Sequence, residues 1–138
     1  MIPLHDLTIK KFHENLLNKE FSALEITRGF FDYIEFRDKK LHAYLSLLKD
    51  EAMRQANEVD VAVAKGEDLS VLAGVPLAIK DNILIEGASA TAASKILENY
   101  TAAYDATVIQ KLKAEKSVFL GKTNLDEFAM GSSTENSA

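Results

Sequence analysis

Between Glu67 and Ser70 the spacing of apolar residues changes, and this change restricts the chain to folds in which a helical layer is followed by a sheet. Upstream, apart from a short alternating stretch at Ala43 to Leu47, apolar residues recur every three to four positions. Downstream they alternate: Val75, Leu77 and Ile79 share one face of a strand, and Pro76, Ala78 and Lys80 share the other. From Leu69 onward strand and helix patterns are mixed. The expected fold class is therefore α/β, with N-terminal helices followed by part of a mixed β-sheet flanked by helices.

The helix ends are marked by local chemistry. Thr8 can cap a first helix in which Ile9, Phe12, Leu16 and Leu17 repeat at helical spacing. Ser22-Ala23-Leu24-Glu25 reads as a capping box, with Phe21 and Ile26 at the two staple positions. The second helix is expected to turn Ile26, Phe30, Tyr33 and Ile34 inward and to finish in the solvated run Arg37-Asp38-Lys39-Lys40. Ala43 to Leu47 alternates as a short strand. Asp50 can cap a third helix that buries Ala52, Met53, Ala56, Val59 and Val63 and stops at Lys65-Gly66.

Beyond the strand at Val75 to Ile79, Ile83 to Ile85 alternates again and Ser117 to Leu120 reads as a short apolar strand. Asp105 can cap a helix presenting Val108, Ile109 and Leu112, and Thr123 with Asp126 can start a last helix running through Met130. Gly87 to Ala93 is rich in small residues, which lets another backbone pack closely or leaves space for a ligand.

Lys80 has two readings from its position alone. As a strand residue among apolar neighbours it can be a desolvated amine, and such an amine can serve as a base. Alternatively it turns outward at the strand end and pairs with Asp81 in solvent.

Composition excludes several classes. With 138 residues, 47% hydrophobic and 27% charged, the chain has the make-up of one soluble domain or part of one. A formal charge of -5 argues against direct RNA binding by this chain. The absence of cysteine rules out disulfides, thiolate metal sites and a Cys nucleophile. His5, His13 and His42 lie far from clustered carboxylates, so no metal site is expected. No apolar stretch approaches the roughly 18 residues of a membrane span, and the cytoplasm is the expected location.

The final stretch, Gly131 to Ala138, is dense in hydroxyls, yet it lacks a G-x-S-x-G elbow and a neighbouring His, and its glycine spacing is not that of a phosphate cradle. Locally it reads as a polar loop. Taken together, Gly74-Val75-Pro76-Leu77-Ala78-Ile79-Lys80-Asp81-Asn82 and the run from Gly121-Lys122-Thr123-Asn124-Leu125-Asp126-Glu127-Phe128 to Ala138 resemble the amidase signature family. With Ala93 to Tyr100 and Tyr104 to Val108 between them, the match narrows to the A-subunit branch of the glutamyl-tRNA(Gln) and aspartyl-tRNA(Asn) amidotransferases, N-terminal part only.

The resemblance implies an incomplete amidase signature fold, with residues 1–68 a mostly helical lead-in and residues 69–138 the start of one amidase core. It also implies a Ser-cis-Ser-Lys triad in which Lys80 is the lysine and both serines fall after Ala138. Ser132, Ser133 and Ser137 match positions that precede those serines. Ala129, Met130, Gly131 and Ser132 are implied to lie near the acyl side of the substrate pocket. The whole subunit is implied to hydrolyse glutamine and pass ammonia to a B subunit, which uses ATP and Mg to convert Glu-tRNA(Gln) to Gln-tRNA(Gln). Its partners are thus the B and C subunits and glutamine, with aminoacyl-tRNA reached through the complex, and no cofactor on this chain. Without the serines and the oxyanion donors the chain alone is expected to be inactive.

Two local departures from that branch stand out. Ala92 occupies a position often held by Cys, and Glu115-Lys116-Ser117 replaces Ala-Gly-Ala, removing a glycine suited to a helix C-cap. Two other functions compete: a family amidase acting on small amides without tRNA, and a non-catalytic α/β interaction domain.

Overall fold

Thr8 Oγ1 accepts the Lys11 N–H at 3.2 Å and starts α1 (Ile9–Leu17), and Ser22 Oγ accepts that of Glu25 at 3.0 Å and starts α2 (Ala23–Leu41). This computed structural model describes residues 4–138. Phe21 and Ile26 are buried at the staple positions, as their spacing predicts. A second anchor at the same helix end comes from far along the chain: Asp60 accepts the N–H groups of Ala23 at 2.7 Å and Leu24 at 3.0 Å. After His42, left-handed at φ 49°, the Asp38 carboxylate takes the Ala43 N–H at 2.7 Å and turns the chain into β1 (Tyr44–Leu47).

α3 (Lys49–Lys65) begins before the expected cap. Leu48 holds the N-cap without a side-chain bond, and Asp50 lies in the first turn, where its charge favours the helix dipole. The helix ends at Gly66, left-handed at φ 71°, as Lys65-Gly66 predicts. Ala52, Ala56, Val59 and Ala62 form its buried stripe, and the alanines let α3 lie close to α2 and the sheet.

The sheet has the order β1-β3-β2, with β3 (Val118–Thr123) antiparallel to β1 and parallel to β2 (Pro76–Lys80). A parallel pair needs a crossover, which includes α4 (Thr107–Ala114). Alternation along β3 divides the core. Val118 and Leu120 join Phe12, Phe31 and Val59 under α1 to α3, whereas Phe119 joins Ile79, Ile85, Ala88 and Ile109 on the other face. Pairing steps from Leu77↔Phe119 to Ala78↔Gly121, leaving Leu120 as the extra residue of a bulge. Gly121 is required there because a Cβ would fall on the Ser46 carbonyl oxygen of β1.

Four local expectations are not met in the structure. Ile83 to Ile85 is not a strand: Ile83 N–H donates to Lys80 O at 2.9 Å and closes a turn through Asp81 and Asn82, and Leu84 and Ile85 follow as irregular chain. Asp105 caps nothing, because its carboxylate accepts the Glu86 N–H at 2.8 Å and Lys113 Nζ at 2.6 Å while Ala106 holds the N-cap. Thr123 to Met130 is not a helix: a 3-10 turn spans Glu127–Ala129, with Phe128 and Ala129 left-handed. On α2, Tyr33 is 55% exposed and Phe31 is buried in its place, on the stripe shared with Thr27 and Ile34. Ile9, Leu17 and Val108 are likewise exposed, since each helix has more apolar residues than its contact face can cover.

The missing glycine after α4 has a visible consequence. Lys116 adopts the left-handed conformation, φ 57°, and completes a Schellman motif in which Ser117 N–H donates to Leu112 O and Lys116 N–H to Lys113 O.

Candidate functional site

β2 and β3 run parallel and end side by side, Lys80 in register with Thr123. Loops at the C-terminal ends of parallel strands form the ligand crevice of open α/β sheets. Lys80 and Ala78 are both exposed there, and no salt bridge engages Lys80 among the described residues. The desolvated setting expected for Lys80 is therefore absent in this chain, because β2 is an edge strand whose Ala78–Lys80 face carries no covering element. Pairing with Asp81 is absent too. Asp81 is itself fully buried and its carboxylate is already occupied.

The occupant is Lys122, fully buried on the central strand. Its Nζ donates to Asp81 Oδ1 at 2.9 Å and to the Ser89 carbonyl at 2.8 Å. Asp81 Oδ2 accepts the Thr91 N–H at 2.8 Å and the Thr91 hydroxyl at 2.5 Å. Three donors thus satisfy this carboxylate, as burial of a charge demands. The backbone continues the connection: Asp81 N–H donates to Thr123 O at 3.0 Å, and Ala92 N–H to Asp81 O at 3.3 Å. The small residues from Gly87 to Ala93 accordingly pack against the strand ends.

The C-terminal loop is organised around a second buried carboxylate. Asp126 Oδ2 accepts the N–H groups of Thr134 at 2.9 Å and Ser133 at 3.2 Å, and Oδ1 accepts that of Asn136 at 3.2 Å. The Thr134 and Asn136 amides, supported by those of Ser133 and Glu135, hold its carboxyl below the ordinary value of 3.8 against the opposing effect of burial. The loop is also fastened to the segment beside Asp81. Phe128 N–H donates to Ala92 O at 2.9 Å, Ala138 N–H to Ala93 O at 3.1 Å, and Ser94 Oγ to Glu127 Oε1 at 2.5 Å. Ala92-Ala93 and Phe128-Ala129 are both left-handed pairs at this junction, a strained backbone of the kind that concentrates at functional sites.

The structure brings Lys80 and the loop bearing Ala129, Met130, Gly131 and Ser132 to the same end of the sheet, linked through Asp81, Ala92 and Phe128. Those loop residues are exposed. Asp81, Lys122 and Asp126 carry the arrangement; the sequence makes Asp81 only a solvent partner for Lys80 and Asp126 only a helix start, and it gives Lys122 no role. A charged residue following Phe119-Leu120-Gly121 on an apolar strand is the available signal for Lys122. Among the described residues no group of three or more His, Cys, Asp or Glu side chains is placed to hold a metal ion.

The family described as Amidase matches residues 25–138. The chain belongs to the amidase family. This amidase-family chain is 53% identical over 135 residues to the A subunit of glutamyl-tRNA(Gln) amidotransferase from Clostridium botulinum (strain Okra / Type B1), covering 98% of itself and 28% of that relative. To the same protein of Carboxydothermus hydrogenoformans it is 52% identical over 134 residues, covering 97% of itself and 28% of the relative. Among solved structures it superposes on native peptide amidase from Stenotrophomonas maltophilia with a TM-score of 0.85 at 28% identity, covering 91% of this chain and 26% of that one. The superposition on the glutamyl-tRNA(Gln) amidotransferase A subunit from Thermotoga maritima has a TM-score of 0.73 at 36% identity, covering 100% of this chain and 27% of that one. The chain thus spans about 28% of the length of the curated relatives it matches. The matched amidase region includes Lys80, the Asp81–Lys122 pair and the Asp126 loop.

Proposed function

We propose that this chain supplies the lysine end of the amide-hydrolysing site in the A subunit of a tRNA-dependent amidotransferase, with Lys80 as the base. Identity of 53% across 98% of the chain is the observation that carries this reading. Its support from geometry is the place of Lys80 at the mouth of two parallel strands, beside the loop that holds Ala129 to Ser132. An exposed ammonium is a poor base, so the proposal requires the rest of the subunit to cover the Ala78–Lys80 face and supply the two serines.

In this reading residues 1–68 lead into the amidase core that begins at residue 69. The whole subunit releases ammonia from glutamine in the cytoplasm and delivers it to a B subunit, which uses ATP and Mg on misacylated tRNA, with a C subunit in the complex. The 138 residues alone have no glutaminase activity. A glutaminase assay on the complete subunit carrying Lys80→Ala tests the assignment: loss of hydrolysis is expected, and near-normal turnover removes Lys80 from the mechanism.

A second reading, an amidase acting on small amides, draws on the higher TM-score with peptide amidase, 0.85 against 0.73. Identity runs the other way, 28% against 36%. Profiling the complete protein with glutamine and with peptide amides separates the two.

A further inference from the structure

We infer that Asp81 and Lys122 are positioning residues that couple the direction of Lys80 to the loop carrying Ala129 to Ser132. The inference rests on Lys80 being the base. Two fully buried charges are a weak source of net stability, because desolvation offsets their attraction. What the pair does provide is geometry. Asp81 follows Lys80 directly, and its side chain is held by Lys122 Nζ at 2.9 Å and by both Thr91 donors. From that fixed point hydrogen bonds run outward in both directions. Asp81 N–H donates to Thr123 O at 3.0 Å and fixes the exit of β2, while Ala92 N–H donates to Asp81 O and Phe128 N–H to Ala92 O. Lys122 Nζ also holds the Ser89 carbonyl at 2.8 Å, so the 89–92 segment is tied at both ends. One ion pair therefore sets the spacing between the amine and the residues proposed to line the pocket. An apolar pair of similar volume preserves the packing without that register, and displacement by an ångström is enough to cost about a hundredfold in turnover.

The test uses the complete amidotransferase complex, reading thermal midpoint together with kcat and KM for glutamine. In Asp81→Leu/Lys122→Met the midpoint is expected at or above the original, KM within about threefold, and kcat reduced about a hundredfold. Thr91→Val, a smaller change that removes one donor to Asp81, is expected to lower kcat about threefold to tenfold with KM unchanged, and it decides the matter should the double variant not fold. Adding the double substitution to Lys80→Ala is expected to cause no further loss, since the pair acts through that lysine. Unaltered kcat in a folded double variant, or in Thr91→Val, overturns the inference, as does a rise in KM at constant kcat. If Lys80→Ala itself hydrolyses glutamine normally, the base assignment fails first and takes this inference with it. An inactive Lys80→Ala beside a fully active double variant defeats the positioning role alone.

Discussion

Gly131 lies so close to Asp126 that a Cβ built on it would overlap the carboxyl carbon and Oδ2. Asp126 cannot step aside, because its oxygens are held by the backbone amides of Ser133, Thr134 and Asn136. Gly131→Ala is therefore expected to cost about 1–3 kcal/mol by overpacking and to loosen the loop. Urea denaturation measures it. A midpoint equal to that of the unaltered protein would show that the contact is not constraining.

The same carboxylate gives the loop a pH dependence of defined sign. Its folded-state value lies below the ordinary 3.8, so its stabilising contribution is complete above that value and is lost as pH falls through the lower folded one. The amide resonances of Ser133, Thr134 and Asn136 are expected to titrate together at a pH below 3.8. Titration at or above it would contradict the hydrogen-bonded geometry.

Asp60 acts as a remote cap for α2, receiving two amides that Ser22 does not reach. Asp60→Ala is expected to destabilise by about 0.5–2 kcal/mol, comparable to loss of a local cap. Equilibrium urea unfolding should show a lower midpoint with an unchanged slope. An unchanged midpoint would mean that water replaces the carboxylate at no cost.

Two lysines near the end of adjacent strands should respond very unequally to truncation. Lys80 is exposed and lacks a salt bridge among the described residues, so Lys80→Ala is expected to change stability by less than about 0.5 kcal/mol. Lys122→Ala strands the buried Asp81 charge and is expected to cost about 3–5 kcal/mol. Thermal melts of both variants check this, and equal midpoints would refute the contrast.

Much of the architecture is written in short-range chemistry. Thr8, Ser22 and Gly66 act on amides or carbonyls within a few positions, and helical or alternating spacing identifies α1 to α3 and β2 without reference to distant residues. The motif around Lys80 and the run ending at Ala138 likewise point to the amidase family. Segments whose hydrogen-bond partners lie elsewhere depart from their local pattern for a common reason. Asp105 has the right local position for a cap, yet Glu86 and Lys113 claim its oxygens. Thr123 to Met130 has helix-compatible residues, yet Ala92 claims the Phe128 amide.

Capping, turn formation and periodic burial depend on neighbours in the chain, and for that reason the order and type of most elements can be read from the residues alone. Which lysine is buried cannot. Lys122 meets Asp81 across 41 positions, and Asp60 meets Ala23 across 37. Such pairings exist only once the layers have packed, because burial removes water as the competing partner and makes the distant carboxylate the available one.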